Sequence, residues 1–412
     1  MKIALAATRP PYPLNSGGRI RTFHLLKELC ATNDVTFVTS VDGRAEHEAL
    51  ADLGRAIPGL DVRVVRAPSR RGFTALRARM LLNAFDPVPY TWVPYRTGDF
   101  HATVQRLVRE HRFDVVHCDH VQLAYAFEGL AAPARVLNAH NIEYQILRRA
   151  ADEEKRAARR WLFAWQAAKV RRAEARAFRG FDRAVAVSTV DRAEIERLAP
   201  GTAVSVVPNG VDVEVFAPVE CRQQAGRMVF AGAMDWLPNA DAAAFFVERI
   251  FPGIRARSPS AHVRLVGRNP DPALVRRLSG PGVEFTGTVA DVRPEVAAAA
   301  LVVVPLRIGS GTRLKILEAW AMGKAVLSTS VGSEGLPAVD GENIALADGA
   351  EAFAQRAVEL LDDRATTTTL GISGRRVALA RFSWKQITRD LVAAYEDAVV
   401  AHREHARVGR VP

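Results

Sequence analysis

Two residues after the apolar run LVVVPL, which starts at Leu301, the chain reads GSGTRLKILEAWAMGKAVLSTSVGSEG from Gly309. Gly309 and Gly311 allow a tight turn, and the apolar spacing of Leu314, Leu317 and Ala321 suits a helix beginning near Thr312. The start of such a helix presents unpaired N–H groups and the positive end of a dipole, which favour a phosphate. Arg313 and Lys315 would add charge-assisted hydrogen bonds to a diphosphate, and Glu318 would accept hydrogen bonds from ribose hydroxyls. The same spacing also fits a solvated helix face on which Lys315 and Glu318 pair three residues apart, an interaction of small worth. Spacing alone leaves both readings open.

A second set of residues lies in the first half. In PLNSGGRIRTFHLL, Ser16 is expected to cap a helix, and Gly17 and Gly18 to let the backbone approach a ligand closely. Arg19 would neutralise a phosphate or stand solvated. His140 and Asn141 follow the run RVLNA, at the edge of a sheet where ligands bind, and Glu143 is expected to cap the next helix. Asn209, Gly210 and Asp212 in PNGVD form a turn whose first duty is conformational, since Asn-Gly favours positive φ.

These residues recur at the ends of short β-branched runs separated by helix-compatible stretches. The runs begin at Lys2, Asp34, Val62, Phe113, Arg135 and Ala184, and after VSVVPNGVD a new series begins at Arg227, His262, Val283, Leu301 and Ala325. Such alternation predicts parallel sheets with crossover helices, hence α/β architecture in two Rossmann-like halves. Pro and Gly between Pro208 and Pro218 mark the boundary. The expected halves are residues 1–205 and 206–382, with a final helix over about 383–412 crossing back. Ligands are expected in the cleft between them.

Composition sets the outer limits. The 412 residues are 49% hydrophobic and 25% charged, ordinary for a globular chain long enough for two cores. Cys30, Cys118 and Cys221 are far apart and odd in number, which argues against a disulfide framework and for a reducing compartment. No run approaches the roughly 18 apolar residues of a membrane span, so a soluble or peripheral cytoplasmic protein is expected. The net charge of +11 suits an anionic partner, whether a phosphate-bearing substrate, an acidic lipid surface or nucleic acid.

The glycine loop resembles the donor-site motif of retaining glycosyltransferase family 4, of GT-B fold, in its branch with a GSGTR-type loop. NSGGRIRTFHLLKEL at Asn15, AHNIEYQILRR at Ala139, AVSTVDRAEI at Ala186, VVPNGVD at Val206, FAGAMDWLPNADA at Phe230 and VEFTGTVADVRP at Val283 resemble family segments in family order. The resemblance implies that Arg313 and Lys315 stabilise the departing diphosphate, with Ser310, Gly311, Thr312 and Leu314 around the donor. It sets Gly17 and Gly18 near the donor phosphates and His140 beside the transferred sugar, with Arg19 and Asn141 on the acceptor side. Gly267 with Arg268, and Gly287 with Val289, follow second-half strands and would wall the nucleobase pocket. The chain departs from the family twice. The family's two glutamates stand eight positions apart; Glu318 matches the second, but Ser310 occupies the place of the first. FAGAMDWLPNADA also lacks the basic pair with which many relatives bind the diphosphate.

The resemblance implies a UDP- or GDP-sugar donor and a glycan or lipid-linked acceptor, as in cell-surface polysaccharide synthesis. No Asp-x-Asp pair or His/Asp cluster presents a metal site on a strand end, in keeping with the metal independence that the resemblance implies, and no metal or other cofactor is expected. The segment from Ile146 to Gly180 has eleven Lys or Arg against four Asp or Glu, a net of +7, with Trp161, Phe163 and Trp165 interspersed. It reads as helices with a solvated basic face or as a contact with the anionic inner face of the cytoplasmic membrane. The alternatives are a nucleotide-sugar epimerase of the same fold and a non-catalytic protein binding nucleic acid or another anionic polymer. The absence of a zinc-finger or RNP-like motif argues against a nucleic-acid partner.

Overall fold

The computed structural model describes residues 1–66, 83, 86–130 and 133–408. Ala67, at the end of the third expected strand, and residues 409–412 of the expected closing helix lie outside the described residues. Contacts divide the chain into Met1–Pro208 with Ile387–Pro412, and Asn209–Gln386.

The first unit holds β1 (Lys2–Ala7), β2 (Asp34–Val41), β3 (Asp61–Arg66), β4 (Val115–Cys118), β5 (Ala134–Ala139), β6 (Arg183–Ala186) and β7 (Val204–Val206). They form one parallel sheet in the order β3-β2-β1-β4-β5-β6-β7. Ile3 to Ala7, Val35 to Val41 and Val115 to Cys118 are buried throughout, as expected for strands covered on both faces. The order reverses direction between β1 and β4. Loops leaving these neighbours therefore diverge to opposite faces and open a crevice at their carboxyl ends. Val206 was expected to begin the second half; instead Val204–Val206 pairs with Ala184–Ala186 and the first unit runs to Pro208. The hydrogen bonds of this edge strand determine the boundary.

Two expected caps are corrected. Ser16 is the N-cap of helix Gly17–Cys30, but its hydroxyl makes no capping hydrogen bond. Glu143 is the first residue of helix Glu143–Glu153, and its own N–H needs the cap. Glu174, from helix Ala157–Arg179, accepts hydrogen bonds from the backbone N–H of Glu143 at 2.7 Å and Tyr144 at 3.2 Å. A buried carboxylate from the packed neighbouring helix thus satisfies two terminal donors.

The second unit holds β8 (Gln224–Ala231), β9 (His262–Val266), β10 (Val283–Gly287), β11 (Ala299–Val304), β12 (Val326–Ser328) and β13 (Ala345–Leu346). This sheet is also parallel, ordered β10-β9-β8-β11-β12-β13, with its reversal between β8 and β11. The last helix runs Trp384–Val408, and its residues from Ile387 onward belong to the first unit. Buried Ile387, Leu391, Ala394, Tyr395 and Ala398 make its helical-period apolar stripe. Among the described residues, no helix is long and apolar enough to cross a membrane.

Candidate functional site

In the second unit the crevice at the β8/β11 reversal is bordered by the loop after β11. Gly309 and Gly311 adopt φ of 153° and 76°. This lets the chain fold back around Arg313, whose guanidinium would collide with any side chain at Gly309. Arg313 is the N-cap, and the helix is Leu314–Ala321, starting two residues later than expected. The reason is that the preceding backbone is otherwise engaged. Arg313 Nη1 donates to the carbonyls of Ser310 and Gly311, the latter at 2.7 Å, and Asn209 Nδ2 donates to the Thr312 carbonyl at 3.2 Å. The first duty of Arg313 is therefore to hold the glycine loop, and Asn209 ties the PNGVD turn to it.

Lys315 points elsewhere. Its Nζ donates to Asn239 Oδ1 at 2.8 Å and lies 4.2 Å from the centre of the Phe230 ring. Asn239 is itself oriented by donating Nδ2 to the Ala233 carbonyl at 2.9 Å. The helix after β8, Leu237–Phe245, thus supplies a neutral amide to the lysine in the first turn of the helix after β11. Burial, then the like charge of Arg313, pushes the Lys315 ammonium down to about 7 despite Glu318. Burial likewise pushes the Glu318 carboxyl up to about 7, partly opposed by Lys315. No Lys315–Glu318 ion pair forms, which sets aside the solvated-pair reading. A cation and a carboxylate poised near neutrality at a helix start are groups whose charge a bound anion can change.

Gly267 follows β9, where its backbone crowds that of Gly232 so closely that a Cβ would overlap the Gly232 carbonyl. That packing accounts for the glycine. Arg268 Nη2 lies 3.6 Å from Asp235 in the β8 loop. Gly287 ends β10 with φ of 67°, and Val289 is half-buried two residues on. Ser310 and Thr312 are buried within the glycine loop, whereas Leu314 is half-buried.

The first unit gathers a second cluster at the β1/β4 reversal. Asp119, 1% exposed and just beyond β4, is its centre. Its carboxylate accepts from Thr22 Oγ1 at 2.5 Å and Asn138 Nδ2 at 2.8 Å. His140 Nε2 lies 3.1 Å and His117 Nε2 3.3 Å from its Oδ1. His120 stacks on His140 with ring centres 4.5 Å apart, and its Nδ1 is 3.4 Å from Asp119. Tyr395 Oη meets His117 Nδ1 at 2.7 Å, and buried Arg21 donates to Asn138 Oδ1 and to the carbonyls of Val207 and Pro208. Burial pushes the Asp119 carboxyl up, but His140, His120 and the histidine hydrogen bonds outweigh it and hold it well below the usual carboxylate range. Burial lowers His117, and burial with the charge of His140 pushes His120 down to about 3. The rings of His140 and His120 border the glycine turn, each within 4 Å of where a Gly18 Cβ would stand. Gly17 opens the helix, Arg19 Nη1 donates to Asn15 Oδ1 at 3.3 Å, and Asn141 Nδ2 lies 3.5 Å from Glu143.

His140 was singled out from the sequence, whereas Asp119, His120 and His117 were not, although HCDH at the end of β4 carried the signal. The expectation that no His/Asp cluster presents a metal site on a strand end meets a group of metal-type ligand atoms at such an end. Asp119, His120 and His140 present metal-type ligand atoms within 4.8 Å of one another, because adjacent parallel strands end side by side. The two imidazoles stack 14° from parallel, and a nitrogen of each faces the Asp119 carboxylate. Both Asp119 oxygens also accept hydrogen bonds. The hydrogen bonds to Asp119 orient His140 and His117.

Comparison with known proteins agrees with this architecture. The family described as Glycosyltransferase Family 4 matches residues 15–215, and that described as Glycosyl transferases group 1 matches residues 225–363. A D-inositol 3-phosphate glycosyltransferase from Salinispora tropica is 29% identical over 246 residues, covering 50% of this chain and 48% of the relative. The chain thus spans about half the length of the curated relatives it matches. Sucrose-phosphate synthase from Thermosynechococcus elongatus superposes with a TM-score of 0.71 at 17% identity, over 97% of this chain and 100% of that one. HepE from Anabaena, in complex with UDP and glucose, superposes with a TM-score of 0.69 at 15% identity, over 96% and 99%. Two parallel-sheet Rossmann-like units and family matches across both make the conclusion plain: the chain belongs to the GT-B glycosyltransferase family.

Proposed function

We propose that the protein is a retaining hexosyltransferase that moves a sugar from a UDP- or GDP-sugar to an acceptor, a lipid-linked glycan in cell-surface polysaccharide synthesis, at the cytoplasmic face of the membrane. The observation that carries this reading is the Lys315 site. A largely desolvated ammonium with a neutral amide partner stands in the first turn of a helix behind a glycine loop, where a diphosphate would supply the missing negative charge. Binding of UDP and UDP-glucose by HepE supports UDP as the first nucleotide to test. In the proposed reaction the bond from the anomeric carbon to the diphosphate oxygen breaks as the acceptor oxygen bonds to that carbon on the same face. The acceptor proton passes to the departing diphosphate. The first helical turn and Lys315 meet the growing charge, Arg313 keeps the loop in shape, and Glu318 holds the ribose. No metal is required in this scheme.

The test is a thermal-shift screen of nucleotide sugars, since a ligand that binds only the folded state raises Tm, followed by product analysis with the shifting donor. Sugar transfer with retained anomeric configuration is the expected outcome. An inverted product rejects the retaining assignment, and sugar epimerisation without acceptor rejects transfer.

His140, held by Asp119 and beside Gly18, is assigned to the sugar or acceptor and not to the nucleotide. Changing His140 to Ala is expected to lower kcat by about 100-fold, in the range of one positioned polar group in a transition state, with UDP affinity changed less than threefold. Steady-state kinetics alongside UDP titration make the comparison; near-normal kcat would assign His140 to structure alone.

A further inference from the structure

Helix Ala157–Arg179 buries Gln166, Ala167, Lys169, Val170, Glu174, Ala177 and Phe178, with the Lys169 ammonium turned to the Asn83 carbonyl, and leaves the opposite side exposed or half-buried. Along that side run Trp161, Trp165, Ala168, Arg172, Arg176 and Arg179, spaced four, three, four, four and three residues apart, so they form one line down the helix. At about 1.5 Å per residue the line is roughly 27 Å long. Trp161, 67% exposed, is at one end, and three exposed arginines occupy the other. The only carboxylate in the helix, Glu174, is turned inward to cap helix Glu143–Glu153, so no acidic side chain of this helix offsets the stripe.

We propose that this face docks on a bilayer containing anionic lipids. The proposal deepens the lipid-linked reading of the acceptor and rests on that reading only for its purpose. Arginine at the headgroups and an indole at the apolar boundary are the two contacts an interfacial helix makes. Beside the stripe opens a cavity of about 680 Å³ lined by apolar Val88, Trp92 and Phe127, in which the cations Arg172 and Arg176 of the stripe, with Arg96, Arg135 and Lys169, outnumber the carboxylates Asp86 and Glu128. The aromatic geometry argues against a nucleic-acid strand, which needs open ring faces for stacking. Trp165 has one face against Trp161, with centres 5.8 Å apart and 6° from parallel, and Lys169 Nζ 4.9 Å from its centre.

The test uses the full chain with liposomes of phosphatidylcholine alone or mixed with phosphatidylglycerol, without donor or acceptor. Sedimentation should show partition onto the acidic vesicles that falls with added salt. Partition should drop on the order of tenfold or more when Arg172 and Arg176 are changed to Gln. Changing Arg106 and Arg109, exposed on helix Gly98–Glu110, to Gln removes the same charge elsewhere and should leave partition unaltered. Brominated lipid should quench a fluorescence component that Trp161→Phe abolishes. Equal binding to neutral and acidic vesicles, or equal losses in the two double variants, overturns the proposal. So does a single-stranded RNA bound more tightly than the vesicles and lost with Arg172 and Arg176. Transfer to a soluble acceptor by a protein that ignores vesicles would leave the transferase reading standing and reject only the docking face.

Discussion

Changing Lys315 to Met is expected to weaken UDP-sugar binding by one to two orders of magnitude without unfolding the protein. A hydrogen bond to a charged group is worth about 1.5–3 kcal/mol, and each 1.4 kcal/mol is about a factor of ten in affinity. The substitution also removes an ammonium that burial and Arg313 already hold down at about 7, so Tm should be unchanged or higher. The same shift predicts how binding varies with pH. A bound diphosphate favours the charged lysine and raises its pKa in the complex. Below pH 7 the free protein is already charged there. Above it, binding must first take up a proton, and affinity falls by at most about tenfold per pH unit. Glu318, also pushed to about 7, ionises over the same range, so the observed midpoint belongs to the pair. Calorimetric titration of UDP at pH 6 and pH 8.5 checks both parts. Equal affinities in wild type and variant at both pH values would remove Lys315 from the donor site.

Changing Asp119 to Ala is expected to cost about 3–5 kcal/mol of stability, a large part of the roughly 5–15 kcal/mol that holds a domain folded. It leaves Thr22, Asn138 and the histidines facing a void where an anion accepted their hydrogen bonds. The cluster also predicts acid sensitivity at mild pH. His120, held at about 3, and His117, also lowered by burial, are neutral in the fold, whereas in the unfolded chain they protonate near 6.5. The unfolded state therefore binds more protons below about 6.5. Stability present above that pH is lost as pH falls toward 3, at no more than about 1.4 kcal/mol per unit for each histidine. Asp119, held below the usual carboxylate range, adds its own loss only once pH falls below about 4. Urea unfolding at pH 7, 5.5 and 4.5 should give a shallower decline for His120→Gln than for wild type. Parallel declines would exclude His120 as a source of the acid sensitivity.

The sequence alone determined the α/β architecture, because helical and strand periods repeat locally and the central strands, such as β1, β2 and β4, are buried on both faces. It also located the glycine loop, Lys315, Glu318 and His140, since residues that follow a parallel strand lie at a carboxyl edge whatever the strand's neighbours are. Strand order is not local, and it decided the rest. Lys315 meets Asn239, 76 residues away, because β8 and β11 adjoin at the reversal. Tyr395 reaches His117 across 278 residues because the last helix packs on the first unit. The duties of Arg313 and Glu174 were hidden for the same reason. A guanidinium or carboxylate satisfies whichever backbone groups the fold leaves unpaired near it, and only the assembled tertiary structure identifies those groups.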